Sequence, residues 1–202
     1  RTTFSGVTFS KDGKGLYLIT NKDSEFDRLA YYDLVSKKIT FITSSIPWNV
    51  DDAVLSTDGS QLAFITNENG ISKLYTVNTS NNQYTIVPNL PVGIIGGINW
   101  SGDSKSIGLT FVGYSASADV FEYNTNTKEF IRWTESELGG MDVSTLQEPN
   151  LITWKSFDGR PISGYLYKAS SKFTGKRPVI INIHGGPEGQ SRPSFLGRNN
   201  YY

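Results

Sequence analysis

The segment Val7-Thr8-Phe9-Ser10-Lys11-Asp12-Gly13 decides the fold of this chain because it recurs. Val54-Leu55-Ser56-Thr57-Asp58-Gly59 and Ile98-Asn99-Trp100-Ser101-Gly102-Asp103 follow the same plan, and the three serines are spaced by 46 and 45 residues. A period in this range is typical of propellers and similar arrays, in which each repeat is one supersecondary unit. We therefore predict part of a β-propeller over residues 1–137.

Each repeat contains four short runs of β-branched and aromatic residues, which favour the pleated surface of a strand. In the first repeat the predicted strands are 6–9, 16–20, 29–32 and 39–43. The later repeats give predicted strands at 62–66, 73–77, 84–87, 106–110, 119–123 and 130–134. We predict a mainly β fold with three four-stranded blades.

The repeated serines have a structural explanation. Short hydroxyl side chains bond nearby backbone groups, and Asp-Gly or Asn-Gly pairs accept the positive φ that tight hairpins require. We therefore predict that Ser10, Ser56 and Ser101 pin turns and are not nucleophiles.

We expect the chain to be a piece of a longer polypeptide. It starts with Arg1, and its only methionine is Met141. Three blades are too few to close a ring, because propellers have about four to eight. An open stack leaves unpaired edges at both ends, and these edges could self-associate with another chain.

Composition excludes several classes of function. The chain has 19 basic and 19 acidic side chains, and binding to nucleic acid needs a basic surplus. It has no cysteine and one histidine, so we expect no metal site, and no cofactor motif is present. No apolar run approaches the roughly 20 residues that span a bilayer, so no membrane partner is expected. The lack of cysteine favours a cytoplasmic location.

The repeat pattern stops after Thr134. We predict a connector at 138–150 and then a hairpin, with strands at 151–155 and 162–167 around Asp158-Gly159. Residues 179–183 form the most β-branched run of the chain, which suits a strand buried on both faces of a parallel sheet. Residues 151–202 are therefore predicted to open an α/β domain.

The motif His184-Gly185-Gly186-Pro187 directly follows this run. In α/β-hydrolases a loop after an early strand supplies an oxyanion-hole donor, and glycines let its backbone approach the reacting carbonyl. The backbone N–H groups of Gly185 and Gly186 are candidates for this role. The His184 side chain could anchor the loop, donate to the oxyanion or contact a substrate, and the sequence leaves these alternatives open.

The order of repeats, connector, hairpin, apolar run and glycine motif resembles the prolyl oligopeptidase family of serine peptidases, especially its acylaminoacyl-peptidase and dipeptidyl-peptidase-like branches. The residues that carry the resemblance are Trp154-Lys155-Ser156-Phe157-Asp158-Gly159, Ile162-Ser163-Gly164-Tyr165-Leu166 and the stretch 177–190. The resemblance implies that 151–202 is the truncated start of an α/β-hydrolase domain. It also implies that the full-length protein takes a peptide substrate and cleaves it through an acyl-enzyme.

The nucleophile elbow Gly-x-Ser-x-Gly of this family is missing from the chain. The nearest look-alike, around Ser115, lacks the final glycine and lies inside a predicted blade. The family's triad residues are expected outside this sequence, so the chain alone is predicted to be inactive.

Two other functions stay open. The chain could belong to a TolB-like propeller that binds a protein partner without catalysis, and residues 1–137 fit that interpretation nearly as well. It could also belong to an esterase or another acyl hydrolase of the same superfamily.

Aromatic and acidic residues outside these motifs have structural interpretations. The four tryptophans are predicted to lie in the core or between blades: Trp48, Trp100, Trp133 and Trp154. Asp51 and Asp52 could bind an amine or a cation, but a solvated loop before a strand is the favoured interpretation.

Overall fold

The structure is a computed structural model that describes residues 1–186 and 188–201. Pro187 of the predicted glycine motif and Tyr202 lie outside the described residues. Within the described residues the chain forms three four-stranded antiparallel sheets and one two-stranded sheet. The mainly β prediction is confirmed.

The strands of each four-stranded sheet follow one another in chain order, as an up-and-down meander. The first sheet contains β1 (Phe4–Phe9), β2 (Gly15–Thr20), β3 (Arg28–Asp33) and β4 (Ile39–Phe41). The second contains β5 (Val50–Leu55), β6 (Gln61–Glu68), β7 (Ile71–Asn78) and β8 (Gln83–Ile86). The third contains β9 (Gly93–Trp100), β10 (Ser106–Gly113), β11 (Ala116–Asn124) and β12 (Phe130–Arg132).

The repeated serine holds the turn after the first strand of each sheet. Ser56 Oγ donates to Asp58 Oδ1 at 2.7 Å and accepts from the Gln61 N–H at 3.0 Å. The same serine–aspartate bond measures 2.7 Å at Ser10 and 2.6 Å at Ser101. The predicted turn chemistry is confirmed. Hydrogen bonds from the Ser60 backbone and from the Ser56 and Ser60 side chains lower the pKa of Asp58 to about 2.

The second sheet is buried on both faces, which explains why β6 is apolar at successive positions. Leu62 and Phe64 pack in one core cluster with residues of the first sheet, whereas Ala63 and Ile65 pack in another with residues of the third. Because side chains alternate between the faces of a strand, one strand serves both cores. β5 contacts β1 and β9, so the first strands of successive sheets lie side by side.

Two of the four tryptophans fulfil the burial prediction. Trp48 packs against the core between the first and second sheets. Trp100 packs against the other core, and its indole N–H donates across the sheets to the Val54 carbonyl at 2.9 Å. For Trp133 and Trp154 the prediction is wrong, because their side chains are 65% and 48% exposed. Trp133 directly follows β12, and Trp154 lies in β13.

The first strand of each sheet carries a bulge that the sequence did not reveal. The pairing register shifts between Ser5 and Thr8 in β1, at Asp51 in β5 and at Gly96 in β9. A bulge bends the strand and re-aims the inserted side chain. Asp51 therefore belongs to a strand, and the favoured prediction of a loop before the strand is wrong.

The chain leaves the third sheet through a connector that contains a short 3₁₀ helix at Val143–Thr145, capped by the Asp142 side chain. It then forms a hairpin of β13 (Asn150–Lys155) and β14 (Pro161–Leu166). All six residues of β13 are exposed. Over the described residues, no helix has the length and apolar character needed to cross a membrane.

Candidate functional site

The stretch before the glycine pair is exposed and irregular. The predicted buried strand at 179–183 is not formed, and Val179, Ile180, Ile181 and Ile183 are between 68% and 81% exposed. That prediction is wrong for this structure. A strand buried on both faces needs hydrogen-bonded neighbours and covering helices, and the described part of the chain supplies neither beside this run.

The glycine pair lies in an exposed loop. Gly186 has φ +125°, a backbone conformation that residues with a Cβ rarely adopt. Nδ1 of His184 lies 3.1 Å from the Gly185 carbonyl oxygen, a contact within the loop itself. Among the described residues no group accepts a hydrogen bond from the N–H of Gly185 or Gly186. Both donors are therefore accessible, and the role of the His184 side chain stays a prediction with its three alternatives.

The segment that follows this loop is held by the second sheet. Arg192 donates from Nε to the Gly70 carbonyl at 2.9 Å and from Nη2 to Ser72 Oγ at 3.0 Å. Pro193, next in the chain, is fully buried. Asn67 Nδ2 donates to Gln190 Oε1 at 2.8 Å. Residues that are more than a hundred positions apart in sequence thus form one contact, which no local pattern predicts.

The acceptors belong to the turn between β6 and β7. Asn69 and Gly70, with φ +53° and +89°, form a two-residue hairpin turn, as Asn-Gly pairs do. The hydroxyl of Tyr165, in β14, donates to the Asn69 carbonyl. Burial raises the pKa of Tyr165 to about 12, although the positive charge of Arg192 opposes the rise. Two residues from the later part of the chain therefore bind the same turn.

The bulged residue Asp51 lies within electrostatic reach of Arg192. Desolvation by the surrounding protein raises the pKa of the Asp51 carboxyl group, and the charge of Arg192 lowers this pKa by less. The Asp51 side chain has no hydrogen bond among the described residues, although it remains exposed to solvent. It is therefore a carboxylate that is partly surrounded by protein but still open to water, at the bulge of β5.

The described residues do not assemble a catalytic triad. Ser115 lies with Tyr114 in the turn between β10 and β11, inside the third sheet as predicted. His184, the one histidine of the sequence, is exposed and bonds only within its own loop. No group of three or more metal-ligating side chains is found in the described part of the chain.

The arrangement of these sheets is a propeller-like fold, and solved structures share it. The chain aligns with a puromycin-hydrolysing peptidase of Mycobacterium tuberculosis at 15% identity and a TM-score of 0.73, over 96% of this chain and 31% of that one. A puromycin hydrolase matches at 16% identity and a TM-score of 0.74, over the same shares. Prolyl oligopeptidase B from Galerina marginata matches at 15% identity and a TM-score of 0.70, over 84% of this chain and 24% of that one.

These structural neighbours are peptidases of the prolyl oligopeptidase family, and the chain has the fold of their propeller-like region. It spans about a third or less of their length. No protein-family model matches the sequence, and no curated protein does. The likeness is therefore one of fold.

Proposed function

We propose that the chain is part of a serine peptidase of the prolyl oligopeptidase family that hydrolyses short peptides through an acyl-enzyme. The parent would carry its triad outside this sequence, and the chain alone would be inactive. Residues 151–202 would be the start of its α/β-hydrolase domain, joined to the blades of 1–137 by the connector 138–150.

The observation that carries the proposal is the extent of the structural match. The repeats end near residue 137, whereas the puromycin-hydrolysing peptidases align with 96% of the chain. A match of this extent reaches beyond the repeats into residues 138–202, which supports the proposal. A propeller without a hydrolase part would align with the repeats alone, so the TolB-like alternative explains less.

The proposed chemistry is acyl transfer. The triad serine of the parent attacks the scissile carbonyl, its proton passes to the triad histidine, and the leaving amine departs with that proton. In the tetrahedral intermediate the carbonyl oxygen carries negative charge. The accessible N–H groups of Gly185 and Gly186 would donate to this oxygen.

A serine-reactive fluorophosphonate tests the proposal. We expect the full-length protein to be labelled at one serine and the 202-residue chain to remain unlabelled, because His184, the one histidine of the sequence, contacts only its own loop and no described serine. Labelling is read by intact mass and peptide mapping. Ser115→Ala is the control variant: labelling of the short chain that survives this change would contradict the assignment of the nucleophile to another part of the protein. An unlabelled full-length protein would favour the binding-module alternative.

A second prediction concerns the oxyanion role. Gly186→Ala in the full-length peptidase should reduce kcat by roughly 10²-fold with little change in KM, because a Cβ strains the φ of +125° and displaces a transition-state donor. Gly102→Ala is the matched control, since that glycine has no positive φ and open space around it. An unchanged kcat in Gly186→Ala would remove this loop from the proposed mechanism.

A further inference from the structure

Arg192 is the one basic side chain among the described residues that joins the loop segment after the glycine pair to a four-stranded sheet by hydrogen bonds. Its two donors meet acceptors on Gly70 and Ser72, at the start of β7. Ser72 is 2% exposed, so the guanidinium reaches into the protein. Hydrogen bonds from a charged donor are about twice as strong as neutral ones, and the planar guanidinium fixes their direction.

Ser72 links three parts of the chain. Its hydroxyl oxygen accepts from Arg192 and also from the N–H of Ile95 at 2.9 Å, in β9 of the third sheet. β9 is the strand that bulges at Gly96. Arg192 therefore binds a residue that is itself held between the second and third sheets.

The two sides of the glycine loop are held very differently. On its N-terminal side, 179–183 is exposed and unpaired with any described strand. On its C-terminal side, Gln190 and Arg192 bind the second sheet and its β6–β7 turn, and Pro193 is buried. The contact around Arg192 is thus what determines where the loop lies.

We propose that Arg192 is a positioning residue: by binding Gly70 and Ser72 it fixes the loop of His184, Gly185 and Gly186 against the junction of the second and third sheets. A shift of this junction would move the accessible N–H groups. The consequence for peptide hydrolysis rests on the proposed function, but the positioning itself does not.

Proteolysis of the 202-residue chain tests the contact. A glutamate-specific endoprotease binds several residues on both sides of the cut in extended form, so cleavage after the exposed Glu188 requires Gln190 and Arg192 to leave the second sheet. When this opening is fast, the cleavage rate follows the released population. Arg192→Met should accelerate this cut roughly tenfold to hundredfold, the effect of losing hydrogen bonds to a charged group. Cleavage after the exposed Glu137, where the connector begins, is the internal reference and should not change. Arg177→Met, which removes an exposed arginine, is the matched control.

Arg192→Lys separates positioning from charge. A lysine keeps the positive charge but lacks the planar guanidinium with its two fixed N–H donors. Cleavage after Glu188 in Arg192→Lys should therefore be as fast as in Arg192→Met. Because the sequence has no cysteine, spin labels at Thr85→Cys and Glu188→Cys report the distance between β8 and the loop without interference. We expect a narrow distance distribution that broadens in Arg192→Met and stays narrow in Arg177→Met.

The proposal would be overturned if the unsubstituted 202-residue chain and its Arg192→Met variant were cleaved after Glu188 at equal rates. An unchanged distance distribution in Arg192→Met would overturn it as well. Neither measurement uses peptidase activity. A full-length protein that is not labelled by the fluorophosphonate would therefore refute the proposed function and leave the positioning role intact. A labelled full-length protein together with unchanged proteolysis would refute the positioning role and leave the proposed function intact.

Discussion

Phe64→Ala is expected to destabilise the chain by about 3–5 kcal/mol, the largest effect of any single substitution considered. The Phe64 side chain is fully buried in β6. Its ring stacks on Tyr75 at 4.8 Å between centroids and meets the edge of Tyr84 at 6.0 Å. Truncation removes the burial of the ring and leaves a cavity between the first and second sheets, whose strands cannot collapse around it. The free energy of unfolding is measured by urea denaturation.

Phe157→Ala is the matched control, because that phenylalanine is 103% exposed in the turn of the β13–β14 hairpin. It should change the free energy of unfolding by no more than about 0.5 kcal/mol. A loss of less than about 1 kcal/mol in Phe64→Ala would mean that the second sheet is not packed against the first.

The second large effect is expected at Asp119, in β11. Its carboxylate is completely covered and accepts hydrogen bonds from Arg132, Thr134 and Ser136. Breaking a buried pair costs roughly 3–5 kcal/mol, and the lower end applies because Arg132 is still reachable by water. We expect Asp119→Ala to cost about 3 kcal/mol in urea denaturation. Glu135→Ala, which removes an exposed carboxylate with no hydrogen bond among the described residues, should be nearly neutral.

The Asp119 contribution should depend on pH in a defined direction. Burial raises the pKa of this carboxyl, but hydrogen bonds from Ser136 and Arg132 outweigh it, so the pKa lies below its ordinary value of 3.8. A depressed folded-state pKa stabilises the protein above the unfolded pKa, and the stabilisation is lost as the pH falls below it. The destabilisation caused by Asp119→Ala should therefore shrink below about pH 4, and an effect that is constant down to pH 2 would contradict this account.

Asp119 also determines how the chain leaves the third sheet. Its Oδ1 accepts from both the N–H and the hydroxyl of Ser136, at 2.7 Å and 2.9 Å. The connector therefore begins from a fixed point. The Ser136 contact explains why a carboxylate is buried at this edge, where an apolar side chain could not bind the departing backbone.

The repeat of Ser10, Ser56 and Ser101 predicted the three four-stranded sheets because both signals behind it are local. Side chains that alternate between two faces indicate a strand, and residues that accept positive φ indicate a tight turn. The predicted strands therefore match the observed ones to within a few residues at their ends. The same local turn signal also located the hairpin around Asp158-Gly159, where the Gly159 N–H donates to the Ser156 carbonyl at 3.0 Å.

Local signals failed where burial depends on neighbours. The run 179–183 has the composition of a buried strand, but a strand needs partners on both sides, and composition does not provide them. Trp133 and Trp154 are apolar enough for a core, but their side chains remain exposed. Asp51 was predicted to lie in a loop because a bulge is defined by the pairing of two strands. The alternation of polar and apolar residues along one strand does not indicate it.

The sequence by itself determined the strand pattern, the turns and the motif of His184, Gly185 and Gly186, since each depends on residues a few positions apart. Only the tertiary structure decided that the second sheet is buried on both faces and that Arg192 binds Gly70 and Ser72. Those contacts join residues as much as 122 positions apart. Their energy comes from desolvated hydrogen bonds and packed apolar surface, which exist only once the sheets have come together.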